Sequence, residues 1–161
     1  MTTLVDPHVG FVSFQQAIRE GAIAPSKCDS HPDLYVFRDE PQRGVQRLTY
    51  AFIKDKQAKA YAVFVEAESM KGKPCFGLGY ATDATLRGQG IATELVEISI
   101  SELSKGLTPY LKSPGFYVEA IVGMDNPASQ KVAAKAISDA PTITTESTTR
   151  KEALQYVKYV I

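Results

Sequence analysis

Between Tyr80 and Glu94 the chain changes its hydrophobic period, and this change constrains the fold more than any other feature. Before it, Cys75 to Thr82 reads as a β-strand entered from a turn around Met70 to Pro74, with Gly72 and Pro74 as breakers. After it, Ile91, Leu95 and Ile98 fall on one helical face, backed by Val96 and Ile100, until Lys105 and Gly106 end the run. The junction is Arg87, Gly88, Gln89, Gly90, Ile91, Ala92. A strand that feeds a helix through two glycines predicts a mixed α/β domain.

The flanking sequence extends the pattern. Phe11, Phe14 and Ile18 share a helical face before Gly21, which predicts a short amphipathic helix over 11–20. Ala22 to Pro32 reads as a loop, a candidate substrate wall, and Leu34 to Phe37 as a short strand. Leu48 to Ile53 and Tyr61 to Glu68 predict an antiparallel hairpin joined by the polar stretch Lys54 to Lys59. Phe116 to Val122 reads as a strand, and Asn126 with Pro127 opens a helix carrying Val132, Ala133, Ala136 and Ile137 that Pro141 stops. Thr142 to Thr149 and Ala153 to Ile161 form a closing hairpin around Arg150 to Glu152.

At 161 residues a single domain spanning 1–161 is expected. Lys plus Arg equals Asp plus Glu at 18 each, so no overall field draws the protein to nucleic acid or a membrane surface. No apolar stretch approaches the roughly 18 residues of a membrane span. Asp6 and His8 stand where an export signal would need a basic start and an apolar run. The two cysteines, Cys28 and Cys75, lack the number and spacing of a disulfide framework or zinc site, which predicts reduced thiols and a cytoplasmic location. His8 and His31 have no ligand-spaced partners, and no metal is expected.

Main-chain chemistry makes the junction a candidate anion site. Glycines let the backbone approach a ligand closely, and the first N–H groups of a helix have no partner within it. The helix dipole adds about half a positive charge there, so a diphosphate would be held mainly by main chain, with Arg87 adding charge. The same glycines also suit a tight strand-to-helix turn with no ligand at all, so the pattern alone leaves both readings open. It is not a dinucleotide fingerprint, because Thr93 stands where the third glycine belongs, and it lacks the Gly-Lys-Ser/Thr ending of a P-loop.

Arg87 to Ala92 resembles the Arg/Gln-x-x-Gly-x-Gly/Ala element of the GNAT N-acetyltransferases. Gly79 and Tyr80 before it, with Thr93 and Glu94 after, are similar to the version in the RimJ/RimL-type subgroup. Asn126, Pro127, Ala128, Ser129, Gln130, Lys131, Val132, Ala133 resembles that subgroup's Asn-x-x-Ser-x-x-Val-Ala element, one strand and helix later. The likeness covers about residues 60 to 137. There are departures: one helix is read before the first strand where the family has a strand and then two helices, and Ile137 and Ser138 stand where it has Gly-Phe.

The resemblance implies an α+β fold with a central, mostly antiparallel sheet, two splayed parallel strands holding CoA, and flanking helices. It implies acetyl-CoA as co-substrate, its pyrophosphate on Arg87, Gly88, Gln89, Gly90, Ile91, Ala92 and Thr93. The pantetheine arm would run between Gly77–Thr82 and Phe116–Val122, along the backbone of Tyr80, Ala81 and Thr82, with Asn126 bonding it. The implied reaction is direct transfer to a primary amine, either a protein N-terminus or a small molecule. Many members place a tyrosine one turn beyond Ser129 to protonate the leaving thiolate; Ala133 stands there, which makes Ser129 the candidate acid. Ser129 at a helix start also has a plain solvent-facing reading, and Asn126-Pro127 is a common cap pair. For the base, Glu68 is favoured over Glu66 and Glu119, and water could replace any of them. Two other functions stay open: a non-catalytic acetyl-CoA sensor, and a toxin acetylating aminoacyl-tRNA, which the balanced charge disfavours. Whether the chain forms a homodimer is left open.

Overall fold

A computed structural model describes residues 7–147 and 149–161. Met1 to Asp6, read above for an export signal, and Thr148, in the closing hairpin, lie outside them. The chain runs through α1 (Pro7–Glu20), β1 (Ser26–Lys27), β2 (Leu34–Gln42), β3 (Val45–Lys54), β4 (Gln57–Met70), β5 (Lys73–Thr82), α2 (Ile91–Leu107), β6 (Phe116–Gly123), α3 (Pro127–Ala136), β7 (Thr142–Thr145) and β8 (Glu152–Val160). Single 3₁₀ turns follow β5 at Ala84–Leu86 and α2 at Thr108–Tyr110.

The strands form one eight-stranded sheet in the order β1-β2-β3-β4-β5-β6-β8-β7. Every neighbouring pair is antiparallel except β5 with β6. The β3–β4 connection is tighter than the expected polar stretch: only Asp55 and Lys56 turn, with φ of 53° and 61°. Such a mirror-image two-residue loop matches the twist of the strands it joins. Lys54 and Gln57 already pair, and Ala58 and Ala60 are buried, so most of that stretch is strand. Likewise β2 runs to Gln42 and turns through Arg43 and Gly44 into β3, where the sequence predicts a strand ending at Phe37.

Side-chain alternation divides the core between the two faces. Phe52, Phe64, Phe76, Leu78, Phe116 and Val118 meet Leu95, Val96, Ile100 and Leu103 of α2 and Ala133 and Ala136 of α3. On the other face Phe11, Ala51, Ala58 and Tyr61 form a smaller cluster under α1, joined by Phe14 and Ala81. α1 begins four residues earlier than its apolar pattern predicts, at Pro7, a favoured first helical residue. It ends at Gly21, whose φ of 68° lets the Gly21 and Ala22 N–H groups bond back to Ile18 and Ala17. Gly106 is inside α2, which runs one residue past it, and α3 stops at Ala136, five residues before Pro141.

Candidate functional site

The sheet opens between its two parallel strands. β5 and β6 pair only at Cys75–Tyr117, Phe76–Val118 and Gly77–Glu119. Beyond Gly77, β5 continues against β4 as far as Thr82, and β6 continues against β8 as far as Gly123. The facing edges of 78–82 and 120–123 therefore have no strand partner across the gap. An open edge in a sheet is a template for one more extended chain. Tyr80, Ala81 and Thr82 line it.

At the open end β5 enters the 3₁₀ turn, where Asp83 accepts a bond from the Thr85 N–H at 3.0 Å and another from its hydroxyl at 2.7 Å. Gln15 of α1 donates to the other Asp83 oxygen at 2.9 Å. These bonds hold the Asp83 carboxyl below the usual carboxylate range. Arg87 leads on through Gly88 and Gly90, whose φ angles of 80° and 77° are in the left-handed region. Gly90 is the N-cap of α2 and brings no side chain to it. The first helical ladder bond is donated by Glu94 to the Gly90 carbonyl, which leaves the Ile91, Ala92 and Thr93 N–H groups outside the ladder. Arg87, Gly88, Gln89 and Gly90 are exposed.

Asn126 caps α3 by accepting from the Ser129 N–H at 3.1 Å, so its amide nitrogen stays available. Ser129 does not simply face solvent. Its hydroxyl donates to Tyr80 Oη at 2.9 Å, and Tyr80 Oη donates to the Ser129 carbonyl at 2.7 Å. Burial pushes the Tyr80 phenol up to about 12, partly offset by its bonds to Ser129 and the Ala133 backbone. The side chain of Tyr80 was legible in principle: Phe76, Leu78 and Tyr80 alternate onto one face, and the first two are core residues against the helices.

The structure brings Ser129, Tyr80, Arg87 and the α2 N-terminus to one end of the sheet, and Glu68 does not join them. Glu68 lies just before the Lys71–Gly72 turn, six residues along β4 from Ala62, the partner of Tyr80. That separation is roughly 20 Å at strand spacing. Glu66 accepts from the Gln46 N–H at 3.0 Å, and Glu119 from Gln155 Nε2 at 3.1 Å, at the last rung before the gap. The loop read as a substrate wall instead closes the core: Cys28 is buried in it, and His31 stacks on Phe52 and meets Glu94 of α2 at 3.4 Å.

The wall beside the gap is the start of α1, which the sequence reading missed. A Cβ on Gly79 would come within 3.1 Å of Pro7 Cγ, and Arg87 Nη2 lies 3.3 Å from His8 Nδ1. A hollow of about 350 Å³ at the other end of α1, lined by Ile18, Ile23, Tyr35 of β2 and Ile53 of β3, is separated from β5 by β4. Among the described residues no group of three or more His, Cys, Asp or Glu gathers, and no helix is long and apolar enough to cross a membrane.

No family model matches the sequence, and no curated protein is similar enough to be matched. Solved structures do match by shape. The aminoglycoside acetyltransferase AAC(6')-Ib in complex with paromomycin and acetyl-CoA superposes with a TM-score of 0.54 at 17% identity, over 70% of this chain and 64% of that one. RimL, a ribosomal L7/L12 alpha-N-protein acetyltransferase in complex with coenzyme A, gives 0.54 at 16%, over 73% and 64%. An acetyltransferase of the GNAT family from Streptococcus pneumoniae gives 0.53 at 11%, over 71% and 67%. The chain thus spans under two thirds of the length of the first two structures. The eight-stranded sheet, its single parallel pair and its flanking helices are the GNAT fold.

Proposed function

We propose that the protein is an acetyltransferase that moves an acetyl group from acetyl-CoA to a primary amine by direct attack. The observation that carries this reading is the uncapped start of α2 beside the open edge of β5, with Arg87 exposed at the same corner. Uncoordinated N–H groups and a positive helix end fit a diphosphate, and the unpaired strand edge fits the amide-bearing arm attached to it. The likeness to structures solved with CoA or acetyl-CoA supports the same ligand.

In this reading the main chain of Gly88 to Thr93, with the Arg87 guanidinium, holds the diphosphate. The backbone of Tyr80, Ala81 and Thr82 and the Asn126 amide hold the arm. Acetyl-CoA supplies the acetyl group as a thioester. Ser129 donates a hydrogen bond where the thiolate departs, and an N–H near Ala81 or Thr82 polarises the thioester carbonyl. With Glu68 remote, the proton of the amine leaves by water. The start of α1, rather than the pair of helices usual in the family, forms the acceptor side of the cleft. A protein N-terminus and a small-molecule amine both remain in the acceptor class, and the protein works as a cytoplasmic enzyme.

Calorimetry and a thiol-release assay with a panel of amines test this. Micromolar binding of acetyl-CoA and turnover reduced at least tenfold in Ser129→Ala are expected. Absence of heat with either CoA or acetyl-CoA would refute the reading. The replacement of the helix tyrosine by Ala133 favours one second reading, a protein that binds acetyl-CoA without transferring from it. Binding without turnover on any amine would decide for it.

A further inference from the structure

We propose that the Tyr80 phenol is a positioning residue that holds the Ser129 hydroxyl at the fork of the sheet, where the sulfur of a bound CoA would lie. The inference rests on the acetyl-CoA reading and assigns a role within it to a side chain not otherwise used.

Tyr80 belongs to β5, and Ser129 to α3, the helix that follows β6. No strand pairing joins these two arms beyond Gly77, so the Tyr80–Ser129 contact crosses the gap where main chain does not. The contact is reciprocal, with the serine hydroxyl donating to Oη at 2.9 Å and Oη donating to the serine carbonyl at 2.7 Å. The contact at Oγ selects one Ser129 rotamer out of the staggered set, and the carbonyl beside it anchors the phenol that makes this contact. An exposed serine in the first turn of a helix has no such restraint.

Ala133, one turn further along α3, is fully buried in the same cluster that Tyr80 packs against. A large side chain there would take the space the ring occupies. The alanine that replaces the helix tyrosine thus admits a phenol from the neighbouring strand instead. Its raised pKa of about 12 keeps that phenol a proton donor at every working pH. Hydroxyl protons rotate freely, so Oη–H can turn from the Ser129 carbonyl to Ser129 Oγ. The serine proton is then released toward the gap, and a hydroxyl that accepts a bond is a better donor in turn. No covalent bond changes in this exchange.

The test measures affinity for CoA and for desulfo-CoA, which lacks the thiol, by calorimetry on the full chain. The wild type should bind CoA roughly tenfold more tightly, the effect of one hydrogen bond to a charged or polarisable partner. Tyr80→Phe, which keeps the ring, and Ser129→Ala should each bring the two affinities within about twofold. The double variant should show no further change, because both act on one bond. Unchanged desulfo-CoA affinity in each variant reports an intact fold and cradle. Full preference for CoA in Tyr80→Phe, equal loss toward both ligands, or no preference in the wild type overturns the proposal and leaves the acetyl-CoA assignment standing. Failure of the wild type to bind either ligand removes that assignment itself. Where turnover is measurable, Tyr80→Phe should lower kcat with the KM for acetyl-CoA unchanged.

Discussion

Ser99 lies on α2 with its hydroxyl fully buried and without a hydrogen-bond partner among the described residues. A buried donor left unpaired costs about 1–3 kcal/mol, so Ser99→Ala should stabilise the protein, raising Tm by a few degrees in a thermal melt. Cys28 and Cys75 are also buried, and burial pushes both thiols up to about 11, with Glu102 near the first and Glu119 near the second adding to the effect. At pH 8 a thiol reagent should therefore label neither cysteine in the native protein and both after unfolding in guanidinium. The sign of the pH dependence follows. The folded state holds protons on these thiols that the unfolded chain gives up near 9, so their contribution to stability is complete below about 9 and is lost as pH rises toward 11. Tyr80 adds the same behaviour between 10 and about 12. Melts across pH 8–12 should show Tm falling through that window. None of this was legible from residue types alone, since a lone Cys or Ser carries no mark of its neighbours; the alternation that aims Tyr80 at the helices was.

The elements tie the site to the turns around it. Gly88 and Gly90 have positive φ with nothing within 4 Å of an added Cβ, so the strain of a substitution there is in the backbone rather than in packing. Gly90→Ala should cost about 1–2 kcal/mol of stability, and Gly90→Asp should in addition abolish binding of CoA by placing a carboxylate where the diphosphate lies. At α1 the constraint is steric. A Cβ on Gly10 would lie 2.5 Å from Tyr61 Oη, which donates to the Pro7 carbonyl at 2.6 Å. Gly10→Ala should lift the start of α1 from the sheet, lowering Tm by several degrees and weakening acetyl-CoA affinity through the adjacent Arg87. The sequence signalled α1 through Phe11, Phe14 and Ile18, because apolar spacing reports the buried face of a helix. It did not signal where α1 starts or what it covers.

For the whole molecule, the fork in the sheet couples ligand and fold. Only three residue pairs join β5 to β6, so a chain-like ligand in the gap would complete the sheet as a further strand does. Ligand present at a hundred times its Kd stabilises by about 2.7 kcal/mol. For a domain of this size that is a rise in Tm of about 5–10 °C, which differential scanning fluorimetry with CoA would read. Leu95 at the centre of the larger core is fully buried, and Leu95→Ala should cost about 2–5 kcal/mol whether or not the ligand is present.

Period and punctuation were enough to determine the alternation of strands and helices from β3 onward, the glycine junction at the head of α2, and the cap at Asn126. These are local properties, set by backbone geometry and by which side chains recur on one face. The splay of β5 from β6 was implied by the family resemblance, and the structure sets its start just beyond Gly77. Two features were decided only by the tertiary structure: the distance that separates Glu68 from Ser129 and the meeting of Tyr80 with Ser129 across the gap. Each depends on register between segments tens of residues apart, and register is settled by how the two faces of the sheet pack rather than by any one stretch of chain.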